Sequence, residues 1–172
     1  MFKARRLFLF SLILSGLVGT QAFSPAQSAD SGAAAVAGKK AAHDRHENFE
    51  DMGTAFEKLE KESKKRSPDP ALVKGYVTQI ATLGKESTNW FPPGSGPGNG
   101  FKTKALAEVW SQPDAFQALQ EKFLAEAEKL SQLAPGADNA KLIAQVTATG
   151  EACSECHKKF RKESGLFSIF GG

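Results

Sequence analysis

Cys153-Ser154-Glu155-Cys156-His157 places two thiols three residues apart and an imidazole directly after the second. Thiols at that spacing reach the two vinyl groups of one porphyrin and form thioether bonds, and the next residue sets an imidazole under the iron. C-x-x-C-H is therefore an attachment signature for c-type haem. The expectation is one covalent haem c, bonded through Cys153 and Cys156, with His157 as axial iron ligand. Other chemistry uses similar residues. A thioredoxin-like pair sits at a helix N-terminus after a strand, whereas this pair lies deep in the last helical pattern. A zinc site needs about four ligands and would have to recruit His43 or His46. A disulfide would close a tiny loop and staple nothing distant.

The elements that position these residues read as helices. From about Ala41, the residues Arg45, Phe49, Met52, Phe56 and Leu59 recur every three or four positions, the period of one helix face. Ser67-Pro68-Asp69-Pro70 breaks that helix after about Arg66 and caps the next, whose buried stripe is predicted as Leu72, Tyr76, Ile80 and Leu83. Residues 89–100 (NWFPPGSGPGNG) hold three prolines and four glycines, a composition that excludes helix and central strand. A third helical region follows from about Lys104 to Leu133, broken near residues 111–114, with Phe116, Leu119, Phe123, Ala127, Leu130 and Leu133 on one side. After Ala134-Pro135-Gly136-Ala137-Asp138, a fourth helix carries Leu142, Val146, Thr149, Cys153, His157 and Phe160 on one face. No useful alternating pattern and no internal repeat appears. The chain reads as all-α: an antiparallel four-helix bundle over 41–172, with the haem near the C-terminal helix.

The N-terminus has a different composition. Lys3, Arg5 and Arg6 precede a 12-residue apolar run, Leu7 to Val18, shorter than the roughly 20 residues of a membrane span. The run leads into Thr20-Gln21-Ala22, the layout of a secretory signal peptide cleaved after Ala22, or after Ala29 as second choice. Residues 23–40, rich in Ala, Gly and Ser, are expected to form a flexible leader. The 172-residue chain has 22 basic and 19 acidic residues; without the three basic residues of the signal, the formal charge falls from +3 to zero. With no basic stripe interleaved with aromatics, nothing points to nucleic acid. The expectation is a periplasmic protein of one domain, with no integral membrane segment in the mature chain.

Over about residues 41–165 the chain resembles cytochrome c′ and its low-spin relatives, the class II c-type cytochromes. The likeness is carried by Cys153 through Arg161 (CSECHKKFR), by Leu106-Ala107-Glu108-Val109-Trp110 followed by Phe116, and by Arg45-His46-Glu47-Asn48-Phe49. Commoner small cytochromes c place the motif near the N-terminus and supply a downstream Met, but here Met1 and Met52 are the only methionines. The resemblance implies that the residue four after the Arg faces the distal side of the iron. That residue is Phe49, which cannot coordinate, so a five-coordinate iron open to NO and CO is implied. Met52, three residues on and close to the same face, is the alternative sixth ligand, which would make the protein a low-spin electron carrier. His43 and His46 match no ligand position. The resemblance further implies Arg45 pairing with a haem propionate and a homodimer through helices one and two, and Arg161, one turn after His157, is expected near the exposed proximal haem face. Lys158, Lys159, Arg161 and Lys162 would assist docking of an acidic redox partner protein. The function implied is electron transfer and/or diatomic gas binding rather than enzymic catalysis: a peroxidase would need a distal acid-base group, and Phe49 supplies none.

Overall fold

A computed structural model describes residues 25–133 and 138–162. The signal assignment over 1–22 lies outside the described residues. Five helices follow in order: α1 (Pro25–Ser63), α2 (Pro70–Glu86), α3 (Glu108–Ser111), α4 (Pro113–Gln132) and α5 (Asn139–Phe160). The short α3 aside, α1 packs on α2 and α5, and α4 packs on the same two, which closes a four-helix ring. Among the described residues no helix is long and apolar enough to cross a membrane.

The punctuation acts as the side chains dictate. Asp69 caps α2 by accepting from the Ala71 and Leu72 amides at 2.8 and 3.4 Å, with Pro70 in the first turn where its missing N–H costs nothing. Glu62, buried at the end of α1, accepts from the Asp69 amide at 2.9 Å and from Lys65 Nζ at 2.6 Å, fixing the turn between α1 and α2. Asp138 caps α5 through the Ala140 amide at 3.1 Å.

Three expectations change. Residues 25–40, expected as a flexible leader, continue α1. Ala33, Ala34, Ala35 and Ala37 have the highest helix propensity of any residue and little to bury, so they lengthen a helix without showing an apolar period. On α2, Leu72 is 42% exposed; the buried stripe is Val77, Ile80 and Gly84, flanked by Val73, Tyr76 and Leu83. Residues 104–107 are not helical: α3 begins at Glu108, and the chain breaks at Gln112 before α4.

The core has two parts. An aliphatic cluster joins Met52, Ala55 and Leu59 of α1 to Val77 and Ile80 of α2, Phe123, Ala127 and Leu130 of α4, and Leu142, Val146 and Ala152 of α5. Full burial of side chains such as Leu59, Ile80 and Leu130 contributes about 1.5–3 kcal/mol each. Beside it, Val109, Phe116 and Phe160 form an aromatic cluster with Phe91, Trp110 and Leu119. Here the end of α5 is stapled to the segment before α3: the Leu106 amide donates to Phe160 O at 2.9 Å and the Lys162 amide to Lys104 O at 2.7 Å.

Candidate haem site

α5 carries the thiols to the seam between the two clusters. Cys153 packs against the aliphatic cluster and Cys156 against the aromatic one. Both are half-buried and unoxidised. Burial, with Cys156 adding to it, pushes the Cys153 thiol up to about 12, and burial pushes Cys156 up to about 11. A redox pair needs the opposite shift, toward the thiolate. These are inert thiols placed for a local covalent partner.

His157 was expected on the core face, yet it is exposed. The buried stripe of α5 runs through Ala152, Cys156 and Phe160, and His157 lies about 100° round the helix from Cys156. Although the side chain opens to solvent, enough of the chain surrounds the imidazole to disfavour its cation. Desolvation, and then the charge of Arg161, bring its pKa down to about 4. The ring is thus held neutral at physiological pH, the form that donates a lone pair to a metal. Arg161 is half-buried and its amide donates to His157 O at 3.0 Å. Lys158, Lys159 and Lys162 are exposed.

Arg45 is 3% exposed and is the least expected feature. Its Nη1 donates to Trp90 O at 2.8 Å and Ser95 Oγ at 2.9 Å, and its Nη2 to Ser95 O at 2.9 Å and Thr103 Oγ1 at 3.1 Å. The guanidinium also lies 4.8 Å from the Phe91 ring centroid and 5.5 Å from that of Trp110. Among the described residues no carboxylate faces it, and burial alone lowers its pKa. Four bonds occupy both terminal nitrogens of a fork that has five N–H groups, so the site holds a desolvated cation with no anion.

One turn on, Phe49 is half-buried. Its ring meets Trp90 edge-on with centroids 4.9 Å apart, and Phe91 at 6.0 Å. From Phe91 the row continues to Phe116 at 4.7 Å and from there to Phe160 at 5.1 Å. Met52 is 9% exposed within the aliphatic cluster. His43 and His46 are exposed, and the described residues contain no group of three or more His, Cys, Asp or Glu side chains that could hold a bare metal ion. Sequence reasoning missed Ser95 and Thr103; Trp110, named above only for the resemblance, donates its indole Nε1–H to Phe91 O and Pro92 O, both at 3.2 Å. The signal for the two hydroxyls was present but weak: isolated Ser and Thr in and beside a stretch rich in Pro and Gly.

The family model described as Cytochrome C′ matches residues 40–161. The chain belongs to that family. The cytochrome c′ of Rubrivivax gelatinosus is 37% identical over 87 residues, an alignment spanning 51% of this chain and 66% of that one. Its crystal structure superposes with a TM-score of 0.66 at 29% identity, covering 73% of this chain and 97% of the other. A nitric oxide complex of a variant cytochrome c prime from Alcaligenes xylosoxidans superposes equally well, at 28% identity and TM-score 0.66, with the same coverage. As a cytochrome c′, the chain carries one covalent haem c, and its family is one of non-enzymatic haem proteins. The residues present fit that group: two protonated thiols at attachment spacing, a neutral imidazole beside them, a buried cation lacking an anion, and an apolar aromatic wall.

Proposed function

We propose that this cytochrome c′ is an exported, periplasmic mono-haem protein that binds a small diatomic such as NO or CO at a five-coordinate iron and exchanges single electrons with a redox partner protein. Haem supplies the one-electron couple and the coordination chemistry. Cys153 and Cys156 would hold it through thioether bonds, and His157 would give its imidazole nitrogen to the iron. Arg45 offers its unmatched positive charge to a propionate. Phe49 fills the distal side with a ring that cannot ligate, excluding water and any protein sixth ligand.

The observation that carries the reading is Phe49 itself, four residues after Arg45 and braced by Trp90 and Phe91. Met52 is accounted for as a thioether filling the aliphatic core. The nitric oxide complex of the Alcaligenes relative supports gas binding. Export is supported by Lys3, Arg5 and Arg6 ahead of the apolar run, and docking of an acidic partner by the exposed Lys158, Lys159 and Lys162. Leu72, exposed on α2, supports a homodimer through α1 and α2.

The test is one set of optical spectra of the purified protein, oxidised, reduced and reduced under CO. Five-coordination gives high-spin spectra in both oxidation states and a new CO-bound form. A low-spin spectrum that turns high-spin in Met52→Leu would instead make Met52 the sixth ligand and the protein an electron carrier alone.

A further inference from the structure

The strap over residues 90–103 has only short-range bonds of its own, such as Ser95 N–H to Pro92 O and Gly100 N–H to Pro97 O, both at 3.2 Å. Two short turns of 3-10 helix, Ser87–Asn89 and Pro97–Asn99, are its nearest regular structure. Gly94 takes φ +82° just before the buried Ser95, a conformation that costs other residues about 1 kcal/mol or more. What fixes the strap comes from elsewhere, and much of it comes from one stripe of α1.

Gly38, Ala42, Arg45 and Phe49 follow each other at helical spacing, and the first three are buried. At Gly38 the backbones approach so closely that a Cβ would sit 2.5 Å from Gly94 O and 3.0 Å from the Phe101 ring. At Arg45 the guanidinium grips two strap carbonyls, Trp90 O and Ser95 O, and two strap hydroxyls, Ser95 Oγ and Thr103 Oγ1. Ser95 Oγ passes the tether on by donating to Pro92 O at 2.8 Å. At Phe49 the same stripe meets the rings of Trp90 and Phe91. The backbone that Arg45 holds is therefore the backbone that carries the two rings bracing Phe49. On the function proposed above, a ligand entering the distal side would have to push Phe49 aside, and Trp90 and Phe91, packed against that ring, would limit how far it yields.

We infer that Gly38, Ser95 and Thr103 are positioning residues that hold the strap against Phe49, and that they set the rate at which a diatomic ligand reaches the distal side. The inference rests on the function proposed above and adds the control of entry. Gly38 lies outside residues 40–161, the part matched to the family, so this contact belongs to the extension of α1.

The experiment uses the haem-loaded protein as wild type, Ser95→Ala, Thr103→Val, Thr103→Ser and Gly38→Val. Amide hydrogen exchange across residues 90–103 is read by mass spectrometry. Association and dissociation of CO are read by stopped flow and ligand replacement on the reduced protein. Losing one hydrogen bond to a charged group is expected to speed both strap exchange and CO association about tenfold in Ser95→Ala and Thr103→Val. Gly38→Val should do the same, since its side chain cannot fit beneath Gly94. The CO dissociation rate and the reduced spectrum stay as in the wild type, and Thr103→Ser, which keeps the hydroxyl, keeps both wild-type rates. A merely structural defect would lower the melting temperature and leave CO association alone. Strap exchange that accelerates while CO association stays within about a factor of two overturns the inference, as does strap exchange indifferent to all three disruptive variants. If Gly38→Val does not accumulate, the two hydroxyl deletions decide. A wild type that does not bind CO sinks the proposed function and this inference together; normal binding at a rate blind to the variants sinks this inference alone.

Discussion

Replacing Arg45 with methionine keeps much of the side-chain length and removes the charge, which isolates what the guanidinium contributes. In the native fold it makes four hydrogen bonds of 2.8 to 3.1 Å to Trp90, Ser95 and Thr103, and lies over Phe91 and Trp110. Hydrogen bonds to a charged group contribute about 1.5–3 kcal/mol each, and a desolvated cation over an aromatic face about 2 kcal/mol. Against this stands the desolvation of the cation, several kcal/mol after relaxation. The sum is a net contribution well below the gross one. Its loss is amplified because Ser95, 0% exposed, is left with acceptors that neither Arg45 nor water can satisfy. We expect Arg45→Met to destabilise the haem-loaded protein by about 3–5 kcal/mol, since several buried neutral acceptors lose their donor at about 1–3 kcal/mol each. Arg45→Lys keeps the charge, but a lone ammonium cannot fork to two carbonyls and two hydroxyls at once, so about half that loss is expected. The assay is urea unfolding followed by far-ultraviolet circular dichroism, with linear extrapolation to water. Arg45→Met within about 0.5 kcal/mol of wild type would refute the reasoning, and the buried guanidinium would then be a net passenger.

Three further outcomes follow from the site. Phe49→Ala should speed CO association by opening distal space and should cost about 2–3 kcal/mol by the same urea assay, less than the 3–5 of a fully buried ring because Phe49 is half-buried; Met52→Leu, retaining volume in the aliphatic cluster, should change neither the spectrum nor stability by more than about 1.5 kcal/mol. His157→Ala should lower haem yield and shift the absorption maximum more than Cys153→Ala does on co-expression with a cytochrome c maturation system, because a second thioether remains in the latter while the iron's protein ligand is lost in the former; equal yields and equal spectra would count against the assignment. Glu62 should shape the acid limb of stability. The Asp69 amide, and after it Lys65, hold its pKa below the ordinary 4.5. A depressed carboxylate stabilises the fold above its unfolded pKa and loses that contribution as pH falls through the folded value. Stability should therefore drop below about pH 4.5, and Glu62→Gln should be less stable at pH 7 and flatter in that window.

The parts of the fold legible in the sequence are those where one residue type has one physical meaning. Asp69-Pro70 is a cap and first turn in the structure as in the sequence. The row of Phe116, Phe123, Ala127 and Leu130 is buried on α4 as its spacing predicts, and the three prolines and four glycines of 89–100 form the long connection. Elements escaped where small residues or neighbours decide. Residues 25–40 carry no apolar period, so nothing distinguished an alanine-rich helix from an alanine-rich leader. On α2, Leu72 and Val73 compete for one place on the stripe, and only packing against the aliphatic cluster selects Val73. In the site, the C-x-x-C-H motif stands out in the sequence because its spacing suits covalent attachment, and the structure sets both thiols half-buried at the seam of the two clusters. The burial of Arg45 was not legible, since its partners are backbone carbonyls and hydroxyls of a strap with little regular structure to predict.

On the function proposed above, work at the site divides between two helices. α5 supplies attachment: its spacing admits little variation, because two thiols and an imidazole must meet one planar group. α1 supplies control, and its stripe is chemically free to vary, because a packed bundle asks only that Phe49 and Arg45 be satisfied. A side chain at position 49 with a donor atom would close the iron to ligands, and a small one would leave it open to water. An aromatic ring does neither, provided something keeps it from swinging away. In this chain that something is Trp90 at 4.9 Å, on a strap whose backbone Arg45 grips one turn earlier on the same helix. On the proposed function and the inference drawn from it, the rate of ligand entry is a mechanical property of α1 and the strap rather than of the haem motif. Two proteins with identical attachment sequences can therefore differ widely in how fast they admit a diatomic, with the difference written in residues that never touch the iron.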